Sequence, residues 1–120
     1  MRIWIDDIRT APDGYVWKKS VNDTIDLIAY YLDIYMSEMT RKNPSEEVLE
    51  SYMIEVIDLD HDSGLFEKDG GDYINVLNYI EQYKDVFCKM NTAFRIHSMN
   101  PVGRQNMERI IKKNGWKLIQ

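Results

Sequence analysis

Five short apolar runs alternate with segments of helical period, and this alternation restricts the fold more than any other feature of the chain. "RIWID" (2–6), "YVWKKS" (15–20), "MIEVIDL" (53–59), "AFRIHS" (93–98) and "WKLIQ" (116–120) favour strands. Between the second and third runs, Ile25, Ile28, Ala29, Leu32 and Met36 recur at helical spacing. They predict a helix from Asn22 to about Met39, capped by Asn22 or Asp23. "TRKNPSEE" ends it, and Ser45 followed by acids starts a short helix. Residues 72–87 form a further amphipathic segment, with Ile74, Leu77, Ile80 and Tyr83 on one face. The last helix has Asn100 at its N-cap, Pro101 in the first helical position and Gly115 just past its end.

Strands separated by helices imply one three-layer α/β domain built on a five-stranded, mostly parallel sheet in the flavodoxin-like order 2-1-3-4-5. A length of 120 residues suits one core and not two. The first crossover helix is missing, because only a Pro12–Gly14 turn separates the first two runs. Either that loop crosses in extended form, or it makes a hairpin and the second strand runs antiparallel.

The formal charge of −5 provides no broad basic face, which argues against binding along a nucleic-acid duplex. It leaves open a nucleotide or an RNA end, because one phosphate needs only a few local cations. Cys88 is the single cysteine, so no internal disulfide can form, as expected in a reducing cytoplasm. No apolar run reaches membrane-spanning length, and no signal-peptide pattern opens the chain, so neither a membrane partner nor export is expected.

Three strand ends share a polar chemistry: Asp6-Asp7, Asp60-His61-Asp62, and His97-Ser98-Met99-Asn100. In an open α/β sheet of this order the first, third and fourth strands are neighbours, and ligands bind outside their carboxyl ends. Asp6, Asp7 and Asp60 form a hard-oxygen set suited to Mg²⁺, with Mn²⁺ as the alternative. A plainer role for Asp7 is pairing with Arg9 or capping the next turn. His61 and His97, the only two histidines, are suited to dividing acid and base roles on a phosphate ester, with Asp62 in support. The helix N-terminus at Asn100, together with Ser98, Arg9 and Arg104, would seat the phosphate. Gly70-Gly71 reads as a lid or a close backbone approach. Trp4, Trp17 and Trp116 read as core, and Tyr30, Tyr31 and Tyr35 as a candidate homodimer patch.

"IDDIR", "LDHDSG", "GGDYINVL" and "IHSMNPVGRQNM" resemble, in order and over nearly the whole chain, the cyclic-phosphate-processing receiver-like domains, a branch of the response-regulator receiver superfamily. The resemblance implies that Asp6 and Asp7 match the receiver's Mg²⁺-binding acid pair. It places Asp60 at the phosphoacceptor position and Ser98 at the small hydroxyl residue after strand four, and both thereby join the catalytic candidates. His61, Asp62 and His97 are what this branch adds. The chain departs from ordinary receivers in two places: Lys117 falls early in the last strand rather than at its end, and Asp58 replaces a serine. The expected function is a phosphoesterase-like domain acting on cyclic or terminal phosphates of RNA or nucleotides, a role in RNA processing. The alternatives are a binding-only nucleotide or phosphate sensor and a divergent receiver.

Overall fold

Strand β1 (Arg2–Ile5) lies between β2 (Val16–Lys18) and β3 (Val56–Leu59), and β4 (Ala93–Ile96) and β5 (Lys117–Ile119) complete the sheet in the order β2-β1-β3-β4-β5. In this computed structural model, which describes residues 1–120, every strand pairing is parallel. The fold class is therefore the expected receiver-like one, and the direction left open for the second strand is settled. The β1–β2 connection crosses in extended form and makes no hairpin. Two indoles hold it down: Trp4 Nε1 donates to the Arg9 carbonyl at 2.8 Å, and Trp17 Nε1 donates to the Asp6 carbonyl at 2.8 Å.

Helix α1 (Val21–Met39) is capped two or three residues earlier than the sequence reading placed it. Ser20 is the N-cap and its hydroxyl accepts from the Asp23 amide, so Asn22 and Asp23 already belong to the helix. That start turns Val21, Ile28, Leu32 and Tyr35 towards the core. Ser45 caps α2 (Glu46–Ser51) as its sequence suggests. The loop after β3 contains a 3₁₀ turn at Gly64–Asp69. The segment read as one helix over residues 72–87 is two helices, α3 (Ile74–Ile80) and α4 (Lys84–Met90), joined by a 3₁₀ turn. The break falls at Tyr83, whose backbone leaves the helical region. Helix α4 ends on Asn91 in a left-handed conformation, φ 54°, which asparagine tolerates better than most residues. Helix α5 (Pro101–Lys113) has Asn100 as its N-cap, accepting from the Gly103 amide.

The strand period of two divides the sheet into unlike faces. Ile3, Ile5, Ile57, Leu59, Phe94 and Ile96 point to one side and pack with α1, α3, α4 and α5 into a single apolar cluster. The opposite face carries a row formed by Trp17, Trp4, Asp58 and Arg95. Three successive crossovers step the same way along the sheet, so right-handedness puts their helices on one side. With the first crossover helix missing, the third layer is reduced to the β1–β2 loop, where Tyr15 sits edge-on against Trp4. The trade of a helix for a loop leaves the two ends of that row, Trp17 and Arg95, uncovered by any helix and partly open to solvent. No helix is long and apolar enough to cross a membrane.

Candidate functional site

The carboxyl ends of β1, β3 and β4 do converge. Asp6, Asp7 and Asp60 each offer a carboxylate oxygen, and these atoms lie within 4.8 Å of one another. Asp6 is the most anchored of the three. Its Oδ1 accepts from the Ile8 and Arg9 amides, each at 2.9 Å, and its Oδ2 faces His97 Nε2 at 2.9 Å. Burial alone would raise the Asp6 carboxyl, but those two amides and His97 outweigh it and hold the group below the ordinary carboxylate range. Asp7 runs the other way: burial, with Asp6 and Asp60 beside it, pushes it up. Burial and the Asp7, Asp6 and Asp60 charges likewise push up the phenol of Tyr73, whose hydroxyl donates to the Lys19 carbonyl under the site.

Arg9 spans this acid group. Its Nε is 3.4 Å from Asp6 and its Nη2 is 3.9 Å from Asp60, while Nη1 donates to the His97 carbonyl at 3.1 Å. About half of its side chain remains exposed, at 48%. Asp7 has no cation beside it, so the pairing of Asp7 with Arg9 that the sequence allowed does not form; Arg9 pairs with Asp6 and Asp60 instead. Three clustered hard oxygens, one of them on a carboxyl raised by burial and then by its neighbours, fit a small divalent cation.

The two histidines occupy different environments. The His97 side chain is only 7% exposed, with Nδ1 2.7 Å from Asp58 and Nε2 2.9 Å from Asp6, and its ring lies on Trp4. Both ring nitrogens are taken, leaving nothing to offer a substrate. His61 is 13% exposed, and its Nδ1 is 2.7 Å from Asp62 while Nε2 has no protein partner. The contact with His61, which outweighs the effect of burial, holds the Asp62 carboxyl low. Asp62 also takes a long 3.4 Å contact from Asn100 Nδ2. A Cβ at Gly103 would meet the His61 ring, so α5 packs its first turn directly on that imidazole.

The phosphate-seating candidates are less free than their sequence suggests. Ser98 is buried and its Oγ accepts from the Asn100 amide at 3.0 Å, which shapes the turn into α5. Asn100 caps the Gly103 amide, and Pro101 has no N–H, so Val102 keeps the open amide of the first turn. Arg104 is drawn back along the helix: its Nε meets Glu108 at 3.0 Å and its Nη1 donates to the Ile96 carbonyl at 2.9 Å. Arg9 is the arginine beside the acid group.

Several site residues were missed or left without a role in the sequence reading. Asp58, fully buried, binds His97 and lies 3.5 Å from Arg95. Trp4 is the floor on which His97 rests, rather than part of the main apolar cluster. The available signal was the strand period, since Asp58 and Asp60, like Trp4 and Asp6, sit two residues apart on one face. Asp72 joins His61 and Asp62 in a second group of metal-capable side chains. Gly64, with φ 54°, brings the chain against the Asp7 carboxylate. Gly70 and Gly71 also take positive φ; the Gly71 carbonyl accepts from Ser63 Oγ, which ties the post-β3 loop closed. Lys117 pairs with Ala93 at the amino ends of the strands, the far edge of the sheet from the acids. Tyr35 is buried in the core, which removes it from any surface patch, and Tyr31 packs on Tyr52.

Neither a curated protein nor a solved structure matches the chain. The family model described as the cyclic-phosphate processing receiver domain does match it, over residues 1–113, a span that takes in every residue of the cleft. By that match, and with the sheet order and acid cluster that accompany it, the chain belongs to the cyclic-phosphate processing receiver domain family.

Proposed function

We propose that the chain is a phosphoesterase-like domain acting on a cyclic or terminal phosphate of RNA or of a nucleotide. The observation that carries this reading is the meeting of two devices at one sheet edge. One is the Asp6–Asp7–Asp60 oxygen set, and the other is the Asp62–His61 pair with a free Nε2. Asp6, Asp7 and Asp60 would hold Mg²⁺ or Mn²⁺, with His97 and the two backbone amides fixing Asp6. A divalent ion bound there would offset the charge of the non-bridging phosphate oxygens.

The residues of the chain supply the remaining steps. Arg9, beside the acids, and the open Val102 amide would serve as phosphate donors. The Asp62 carboxylate only accepts, so it holds the proton of neutral His61 on Nδ1 and leaves a lone pair on Nε2. Nε2 would then take a proton from the water that attacks phosphorus and give it up to the ribose oxygen released as its bond to phosphorus breaks. His97, enclosed by Asp58, Asp6 and Trp4, is a positioning residue in this reading, and proton transfer falls to His61 alone.

The test is hydrolysis of adenosine 2′,3′-cyclic phosphate with Mg²⁺ or Mn²⁺. Replacement of His61 by Gln should lower kcat by about 10²-fold or more with little change in KM. Equal rates in wild type and His61→Gln would remove the proton-transfer role. One observation favours binding without turnover: Arg9 already lies within ion-pair distance of Asp6 and Asp60 from within the chain. Ligand retention in calorimetry with no product after hours would decide for that sensor reading. Phosphorylation of Asp60 by a small phosphodonor, the divergent-receiver reading, has no support from Lys117, which is at the other end of the sheet.

A further inference from the structure

We infer that the chain has a second ligand site, remote from the acid cluster, in the groove between α1 and α2. Its occupant is a small arylalkylamine, an ammonium group carried on an aromatic body. The groove has a volume of about 390 Å³, inside the range of roughly 300–1,000 Å³ typical of small-molecule sites. Helices α1 and α4 run back from the carboxyl to the amino ends of the parallel strands. The groove is lined from their last turns, by Tyr35 and Met39 of α1 and by Lys89 of α4. It therefore lies at the end of the sheet opposite Asp6, Asp7 and Asp60, and it is independent of the phosphate reading.

Tyr35 is the residue that points to a ligand. It is only 4% exposed and its ring belongs to the core, yet its hydroxyl makes no hydrogen bond within the protein. No side-chain polar atom of the chain is both unpaired and sealed from solvent, so this hydroxyl reaches the groove that Tyr35 lines. Tyr73, the other tyrosine of the core, donates its hydroxyl proton to the Lys19 carbonyl. An open phenol on so deeply buried a side chain is a fixed polar anchor that lacks its partner. Burial, and then the Glu46 charge, pushes the Tyr35 phenol up, so it stays neutral at pH 7 with an oxygen free to accept.

The rest of the lining sets the occupant. Glu46 and Glu50, both exposed, bring two carboxylates to the groove against the single ammonium of Lys89, so its charge favours a cation. Met39, Leu49 and Met53 are half-buried and supply the apolar contact. Two polarizable thioethers beside a phenol ring favour an aromatic body over a plain aliphatic chain. A stable protein interface covers about 800 Å² on each partner. Residues 40–43, Glu47 and Ser51 around the groove are exposed and polar, so its apolar surface does not extend to that size. A small amine with one aromatic ring system matches the volume, the charge and the open phenol together.

The experiment is calorimetry on the full chain at low salt, using tryptamine and indole-3-propionate, which keeps the ring system and reverses the charge. Tryptamine should bind at least about tenfold more tightly than the acid. Tyr35→Phe keeps the ring in the core and removes only the anchor, and it should weaken tryptamine about five- to tenfold. Replacing Glu46 and Glu50 together by Gln should weaken it about fivefold and remove most of its salt dependence. Unchanged thermal midpoints will show that the variants fold. His61→Gln, at the other end of the sheet, should bind tryptamine as wild type does. No binding of millimolar tryptamine by wild type overturns the inference, as does equal affinity for the two probes or an affinity that Tyr35→Phe leaves intact. Binding of Nα-acetyl-lysine methylamide as tight as that of tryptamine also overturns it, by assigning the groove to lysine side chains of a protein partner.

Discussion

The indole of Trp4 lies flat on the imidazole of His97, with ring centroids 3.8 Å apart and planes 2° from parallel. Trp4 lies in β1 and His97 directly follows β4, and Asp58, on the strand between them, completes the arrangement from the side. Together they fix a buried imidazole whose Nε2 in turn fixes Asp6. The site thus depends on packing under the sheet edge as well as on the acids at its rim. Trp4→Ala should cost about 3 kcal/mol or more of stability, the range for emptying a buried aromatic position. Trp4→Phe should retain most of it. Urea unfolding of both variants checks this, and a loss below about 1 kcal/mol for the alanine variant would contradict the packing role.

Asp58 presents the second expectation. It is fully buried between His97 and Arg95. Asp58→Ala leaves the Nδ1 of a buried histidine without an acceptor and should destabilise by about 3 kcal/mol. Asp58→Asn keeps an oxygen near the same place and should cost less. Chemical denaturation ranks the two, and Mg²⁺ titration of the asparagine variant then shows whether Asp6 has kept its position. An alanine variant as stable as the asparagine one would show that Asp58 contributes no hydrogen bond of consequence.

The acid cluster gives opposite pH responses at two neighbouring positions. Asp7 is raised above its ordinary value of 3.8, through burial first and then through Asp6 and Asp60. Its ionised form is therefore disfavoured by folding, and the penalty is present above the folded value and gone below the unfolded one. Asp7→Asn should stabilise the protein at pH 7, and the gain should vanish below about pH 3. Saturating Mg²⁺ should stabilise wild type and not the variant. Asp6 is held low, so its contribution is present above 3.8 and is lost as pH falls through its folded value. Thermal midpoints against pH, with and without Mg²⁺, read both signs.

Gly103 supplies a test with a sign contrary to helix propensity. It lies in the first turn of α5, with no positive φ, where alanine would ordinarily gain up to about 1 kcal/mol. An added Cβ would run into the His61 ring. Gly103→Ala should therefore destabilise by about 1–3 kcal/mol, the range for overpacking, and should displace the His61 resonances in an NMR spectrum. Stabilisation with unmoved His61 signals would mean that the helix does not press on that ring.

The sequence by itself determined the order of strands and helices, the helix starts at Ser45 and Asn100, and the collection of acids and histidines at three strand ends. These follow from period, capping chemistry and the sharp stop of an apolar run at Asp6 or Asp60, all of which act over a few residues. Where local signals competed, at Ser20 against Asn22 or at the Tyr83 break, the requirement to aim apolar side chains at a shared core decided the outcome. Only the tertiary structure decided the direction of β2, the capture of Arg9 by Asp6 and Asp60, and the separation of the two histidines into one enclosed and one open. His97 meets Asp58 across 39 positions and Asp6 across 91. Contacts of that reach are set by strand register, a property of the whole sheet that no short stretch of the chain encodes.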